Sequence, residues 1–324
     1  MLTMIAMKKK EAGVTLIELM IVLVIAAILV AGIYSLFITQ SRSYSVQDQV
    51  AGVQQDARVA LNIMARDIRM AGLAAGRGSG TGFTDGTLSS ILVNGFYYAV
   101  NPVNGANAPD TLTVVLGAEA LGRVLSVTGT MIQVTDDGIN PKDVDYYFTD
   151  AKKNYIAFDQ QPGRLYQVNT VSDTDITITN FPSGVTTTVG GKAFGVQAIT
   201  YSVGADGILK RDTHTSASSN QPLAGDGINT FVEDLQFAYQ VAGDTGWYHD
   251  PLTDFPAGKT RADIRMVRIN ISVRTAVQDA VVQDAASTSA KFNQPALEDH
   301  TAGLSGPDGF RRRVYTTEVN VRNL

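Results

Sequence analysis

The sequence predicts an α+β fold in which a long N-terminal helical spine packs on a mainly antiparallel β domain. Three observations predict it. From Leu19 to Gln40 there are 22 residues without a charge, LMIVLVIAAILVAGIYSLFITQ. Apolar residues then recur at Val46, Val50, Val53, Ala57, Leu61, Met64 and Ile68, steps of three and four that mark one face of a helix. Beyond Ala71 the period drops to two, as strands with two different faces require.

The uncharged stretch comes first. At about 1.5 Å of rise per residue it is long enough to cross a hydrocarbon core of about 30 Å. Lys8, Lys9 and Lys10 precede it, and the positive-inside rule puts them on the cytoplasmic side, with the rest of the chain beyond the membrane. A cleaved secretory signal fits less well, because its apolar core is about 7 to 15 residues and a small-residue cleavage site follows it. Glu18 interrupts the apolar run, reading VTLIELMIV. A carboxylate at membrane depth is expensive and marks function.

The helix continues past the membrane. No proline occurs from Val14 until Pro102, and Gln47, Asp48, Gln54, Gln55, Asp56, Arg58, Arg66, Asp67 and Arg69 fill the spaces between the apolar positions. Such a stripe is read as packing against a sheet. A helix over 14–71 would be about 85 Å long. Gly72 ends it, and glycines 76, 78, 80, 82 and 86 make 72–86 a flexible linker without the lysine of a phosphate-binding loop. The organisation is therefore a leader over 1–13, a helix over 14–71 (14–40 transmembrane, 41–71 amphipathic), the linker, and a β-rich globular region over 87–324.

In that region Phe231, Leu235, Phe237 and Tyr239 fall on alternate positions, with Glu233 the exception. Val267, Ile269, Ile271 and Val273 alternate with Arg268, Asn270 and Ser272, predicting one buried and one wet face. Further strands are expected over 111–116, 123–134, 145–148, 155–158, 165–168, 175–179, 196–203 and 313–321. Gly129-Thr130 and Asp206-Gly207 are expected as turns.

Composition removes several function classes. The chain has 324 residues, no cysteine and net charge −5. There is no disulfide framework, thiolate nucleophile or cysteine-held metal, and a nucleic-acid partner is not expected of an acidic chain. His214, His249 and His300 are isolated in sequence, and no Gly-x-Ser-x-Gly elbow occurs. Asp136, Asp137, Asp143 and Asp145, with Asn140, form one acidic loop, and Asp244, Asp250 and Asp254 another. Neither fits the twelve-residue calcium loop, so these carboxylates read as turn formers, the first group remaining a weak calcium candidate. Arg311-Arg312-Arg313 reads as a solvated strand start. No cofactor and no enzyme are indicated.

Gly13-Val14-Thr15-Leu16-Ile17-Glu18 resembles the signal of type IV pilins and pseudopilins, in which a glycine precedes the cut and a glutamate follows it. The resemblance implies cleavage between Gly13 and Val14 by a prepilin peptidase on the cytoplasmic side and N-methylation at Val14. The mature chain then has 311 residues once the thirteen of the leader are removed. The family usually has Phe where Val14 stands, and aliphatic residues also occur there. Counting from Met7 rather than Met1 or Met4 gives MKKKEAG, a more usual leader length. Many major pilins have a proline near Ser35, so any kink here falls to Gly32. If subunits stack helix beside helix, Glu18 of one meets the Val14 ammonium of the next, which relieves the cost of the buried charge and sets the axial register. Retention of Glu18 places the chain below at least one other subunit.

The segments ARVALNIMARDIRMAGL, PDTLTVVL, VEDLQFAYQV, IRMVRINISVRTA and FRRRVYTTEVNVRNL resemble PilW-type minor pilins, and the first, more loosely, the J-type minor pseudopilins of type II secretion, which are shorter. The resemblance implies a minor pilin near the filament tip that primes pilus assembly and supports adhesion and twitching motility. Its partners would be the lipid bilayer before assembly, the prepilin peptidase, major and other minor pilins, the inner-membrane assembly platform and a tip adhesin. Its location would be the bacterial inner membrane, with the globular region periplasmic, and then the extracellular pilus. The alternatives are a J-like pseudopilin and a membrane-tethered binding or hydrolytic domain.

Overall fold

A computed structural model describes residues 14–72, 93–135, 144–149, 154–161, 164–172, 174–178, 189–214, 220–276, 292, 294–300 and 308–321. Lys8, Lys9, Lys10, Gly13, linker residues 73–86 and the acidic-loop residues Asp136, Asp137, Asn140 and Asp143 lie outside the described residues.

Helix α1 spans Leu16–Met70. It begins where the Thr15 hydroxyl accepts the Glu18 N–H at 3.3 Å, the N-terminal half of a Thr-x-x-Glu capping pattern. It ends because Gly72 takes φ +73° and turns its N–H onto the Val115 carbonyl at 2.9 Å. The chain divides into two compact units, 1–49 and 50–324. In the first, every residue from Val14 to Phe37 is exposed. A helix apolar on all sides, with nothing of its own unit to cover it, needs lipid or other helices around it.

In the second unit the stripe is buried as the sequence requires. Val53, Ala57, Ala60, Leu61, Met64, Ala65 and Ile68 join a core built from two sheets. Fully burying side chains such as Met64 and Ile68 stabilises by about 1.5–3 kcal/mol each. The larger sheet has nine antiparallel strands: β1 (Val100–Val103), β2 (Thr111–Thr128), β3 (Met131–Thr135), β4 (Tyr155–Phe158), β5 (Leu165–Ser172), β6 (Asp175–Ile178), β7 (Lys192–Val203), β8 (Leu209–Asp212) and β9 (Asn220–Ala224). The smaller joins β10 (Thr230–Val241), β11 (Ile264–Thr275) and β12 (Arg312–Asn320), also antiparallel.

The larger sheet closes on itself. Its order is β1-β2-β3-β6-β5-β4-β7-β8-β9, and β2 also pairs with β7, so β2, β3, β6, β5, β4 and β7 form a hydrogen-bonded ring of six strands. Inside is a second core with Val124, Ile132, Val134, Ile156, Phe158, Tyr166, Ile176 and Ile178. β2 serves both parts by bending at register shifts around 117–119, 120–122 and 124–126.

Several expectations are corrected. Residues 145–148 belong to a short helix, α2 (Val144–Phe148): the three adjacent aromatics Tyr146, Tyr147 and Phe148 give a strand-like pattern to what is one helical turn. The expected strands over 111–116 and 123–134 merge into β2 up to Thr128, and the Gly129-Thr130 turn then starts β3. β1, β8 and β9 lay outside the expected strands, being four or five residues long. The polar face of β11 is not wet, since Asn270 and Ser272 are 5% and 0% exposed. Arg312 is not solvated: its side chain is 4% exposed and bidentate to both Glu233 and Asp308. These carboxylates hold it above the usual arginine range although burial opposes that.

Candidate functional site

The candidate site is the N-terminal helix, first as an isolated apolar rod and then as an element fastened to the β strands. Val14 and Thr15 precede the first helical turn, and Glu18 lies in it, exposed within its own unit. One carboxylate therefore sits at the positive end of a helix whose next charged residue is Arg42. α1 is the one helix among the described residues long and apolar enough to cross a membrane.

The fastening depends on two aspartates. Asp67 is 2% exposed and accepts hydrogen bonds from the Tyr201 hydroxyl of β7 (2.6 Å) and from Arg211 Nε of β8 (3.0 Å), with Arg211 NH2 at 2.9 Å. Burial, then the Asp67 charge, push the Tyr201 hydroxyl above its ordinary range. Arg211 is raised too, the two partners outweighing its burial. About three turns earlier, Asp56 accepts the Gly225 N–H, and burial and the charge of Asp226 raise its carboxyl. Asp226 nucleates the loop before β10, accepting the N–H groups of Ile228, Asn229 and Thr230. These bonds lower its carboxyl despite the opposing effect of burial. In the sequence Asp67 reads as one of the residues that fill the spaces between the apolar positions. The available signal was its place three residues after Met64 and four before Ala71, on the buried face.

On the other side of the small sheet the structure assembles groups that are remote in sequence. The tight turn Leu297–His300, with Glu298 at φ +45°, puts His300 Nδ1 at 2.9 Å from Asp234 and Nε2 at 3.0 Å from the Gly105 carbonyl. It also brings Glu298 to Asn270 (2.5 Å), Arg268 (3.5 Å) and His249 (3.6 Å). Arg268 lies 3.9 Å over the Trp247 ring. Most of these polar groups hold one another, His249 Nδ1 having no hydrogen-bond partner among the described residues, and none of the histidines stands in a cluster of three or more metal-ligating residues among the described residues. Asp244, Asp250 and Asp254 each accept local backbone N–H groups, the work of turn carboxylates. Asp145 lies in α2.

Residues 8–34 match the prokaryotic N-terminal methylation motif. That span contains Lys8, Lys9, Lys10, Gly13, Val14 and Glu18. Among solved structures, a type IV-like pilin from Thermus thermophilus is similar at 14% identity and TM-score 0.39, covering 84% of this chain and 97% of that one. No curated protein matches the chain.

Proposed function

We propose that this chain is a minor pilin of the PilW type, a non-enzymatic subunit held in the inner membrane by α1 and then drawn into a type IV pilus. The observation that carries the reading is a methylation motif at the head of a helix whose apolar residues from Val14 to Phe37 are exposed on every side. Cleavage between Gly13 and Val14 creates an ammonium group four residues before Glu18. Lateral packing of such helices satisfies their apolar surface as lipid did before, and pairing of Glu18 with a neighbour's ammonium offsets the cost of charge in that environment. The β-rich region then stands on the periplasmic side and later on the filament surface. There the subunit primes assembly near the tip with other minor pilins and supports adhesion and twitching motility. The prepilin peptidase, the major pilin, the assembly platform and a tip adhesin are its partners, and nucleic acid is not. The test is mass spectrometry of the chain recovered from sheared pili. The expected N-terminal peptide starts at N-methylated Val14, and a different first residue, or confinement of the chain to membranes, overturns the reading.

A further inference from the structure

Within 50–324, α1 turns its two acids inward, Asp56 to Gly225 and Asp67 to Tyr201 and Arg211. Its outward face is left with Ala51, Gln55, Arg58, Val59, Asn62, Arg66 and Arg69, all exposed. Arg58, Asn62 and Arg66 follow one another at steps of four residues, so two guanidinium groups form one row along the helix. The Arg66 side chain is 75% exposed and, among the described residues, pairs with its neighbour Asp67 alone, at 3.8 Å. A face that merely keeps a helix solvated carries both signs of charge. Here the exposed face has one sign and includes an aliphatic residue, Val59, that is 47% exposed.

We infer that this row is a docking surface for the acidic β-rich region of an adjoining subunit. The charge balance of the chain supports that occupant. Residues 72–324 carry 19 Lys and Arg against 26 Asp and Glu, so the β-rich region of a second copy of this chain is acidic overall and complements a basic helix face. The same excess of acid repels an anionic bilayer, which disfavours lipid headgroups as the occupant. Because the basic row and the acidic region are different patches, their pairing is heterologous. Heterologous contacts extend into open helical arrays instead of closing in pairs. The inference rests on the filament reading above and adds to it which face of α1 meets a neighbour and by what chemistry.

The experiment uses the full chain in its host, in three forms: wild type, Arg58→Glu with Arg66→Glu, and Arg58→Lys with Arg66→Lys. Filament content is read as the ratio of sheared-pilus to membrane-held protein at equal total level. Charge reversal should lower that ratio by about tenfold or more, because like charges then face each other, while the lysine form keeps it. In the lysine form the introduced amines are also substrates for a carbodiimide, which joins an amine to a nearby carboxylate as an amide with loss of water. Mass spectrometry should find those amides on Asp or Glu of another subunit. Equal filament content after charge reversal, or amides confined to the chain's own carboxylates, overturns the docking surface. Absence of the wild-type chain from pili is the separate failure of the filament reading, and the cross-links are then read in the membrane-held pool.

Discussion

Arg211 of β8 and Asp67 of α1 form an ion pair at 2.9 Å, with the aspartate 2% and the arginine 16% exposed. The pair joins the helix to the larger sheet where the apolar stripe alone would let it slide. Asp67 has no water to fall back on and Arg211 little, so removing one partner leaves the other charged in a poorly solvated setting. Asp67→Ala should destabilise the 50–324 unit by about 3–5 kcal/mol. Tyr201→Phe, which removes a hydrogen bond without stranding a charge of its own, should cost about 1–2 kcal/mol. Urea unfolding of a soluble fragment from Arg42 onward reads both. Equal midpoints for Asp67→Ala and wild type would mean that the stripe is enough.

The pH dependence follows from the turn on the small sheet. Both ring nitrogens of His300 face acceptors, Asp234 and the Gly105 carbonyl, so both must carry hydrogens and the ring is bound as imidazolium. Burial opposes the charge, but the Asp234 hydrogen bond and charge prevail and hold the histidine above its ordinary value. Stability from a raised pKa is fully present below the unfolded value, about 6.5, and is lost as pH rises through the folded one. Asp110 acts in the same direction. Burial raises its carboxyl to about 7, against the N–H groups of Gly105 and Phe237 that lower it, so ionising it weakens the fold as pH rises from about 4 towards 7. The urea midpoint of the fragment should therefore fall between pH 5 and 8. Asp110→Asn should flatten the lower part of that range and His300→Gln the upper part. A midpoint rising with pH across the range contradicts both assignments.

Gly122 gives a test of the closed ring of strands. It takes φ +135° at one of the β2 register shifts, and a Cβ there would collide with the Thr135 carbonyl. Gly122→Ala should cost about 3 kcal/mol or more, since strain and clash add. Loss should appear in the Val124–Ile132–Phe158 core before the core under α1, which hydrogen exchange resolves strand by strand.

The helix and most strands were legible because each has one clean period: four-three steps for Val53 to Ile68, alternation for Val267 to Val273. Legibility failed where a single residue broke parity. Glu233 spoils the alternation of β10 because the register shifts between Val232 and Asp234, and after that bulge Leu235, Phe237 and Tyr239 share the core face with Val232. It failed again where polar residues are buried by distant partners. Asn270, Ser272 and Arg312 look solvated in sequence because Glu298, Asp308 and Glu233, which cover or pair with that side of the small sheet, come from other segments. The closure of six strands into a ring is a property of the β2–β7 pairing, and no local pattern encodes it. For the candidate site the motif residues were readable in order, whereas the Asp67 fastening required the fold.

The last prediction concerns Glu18. Its backbone N–H, not its side chain, makes the bond to Thr15 that begins the helix, so Glu18→Ala keeps that hydrogen bond and tests the carboxylate alone. Thr15→Ala is the complementary change, removing the cap at a cost of about 1 kcal/mol while leaving the charge. In the proposed filament an unpaired carboxylate among apolar helices must find a cation or take up a proton, and either alternative to pairing costs several kcal/mol. Glu18→Ala should therefore leave processing at Val14 largely intact, shift the chain from sheared pili to membranes, and do so more than Thr15→Ala. Immunoblots of the two fractions read the shift. Normal pilus content of Glu18→Ala would remove the carboxylate as the docking contact, and with it the placement of this subunit below another in the filament.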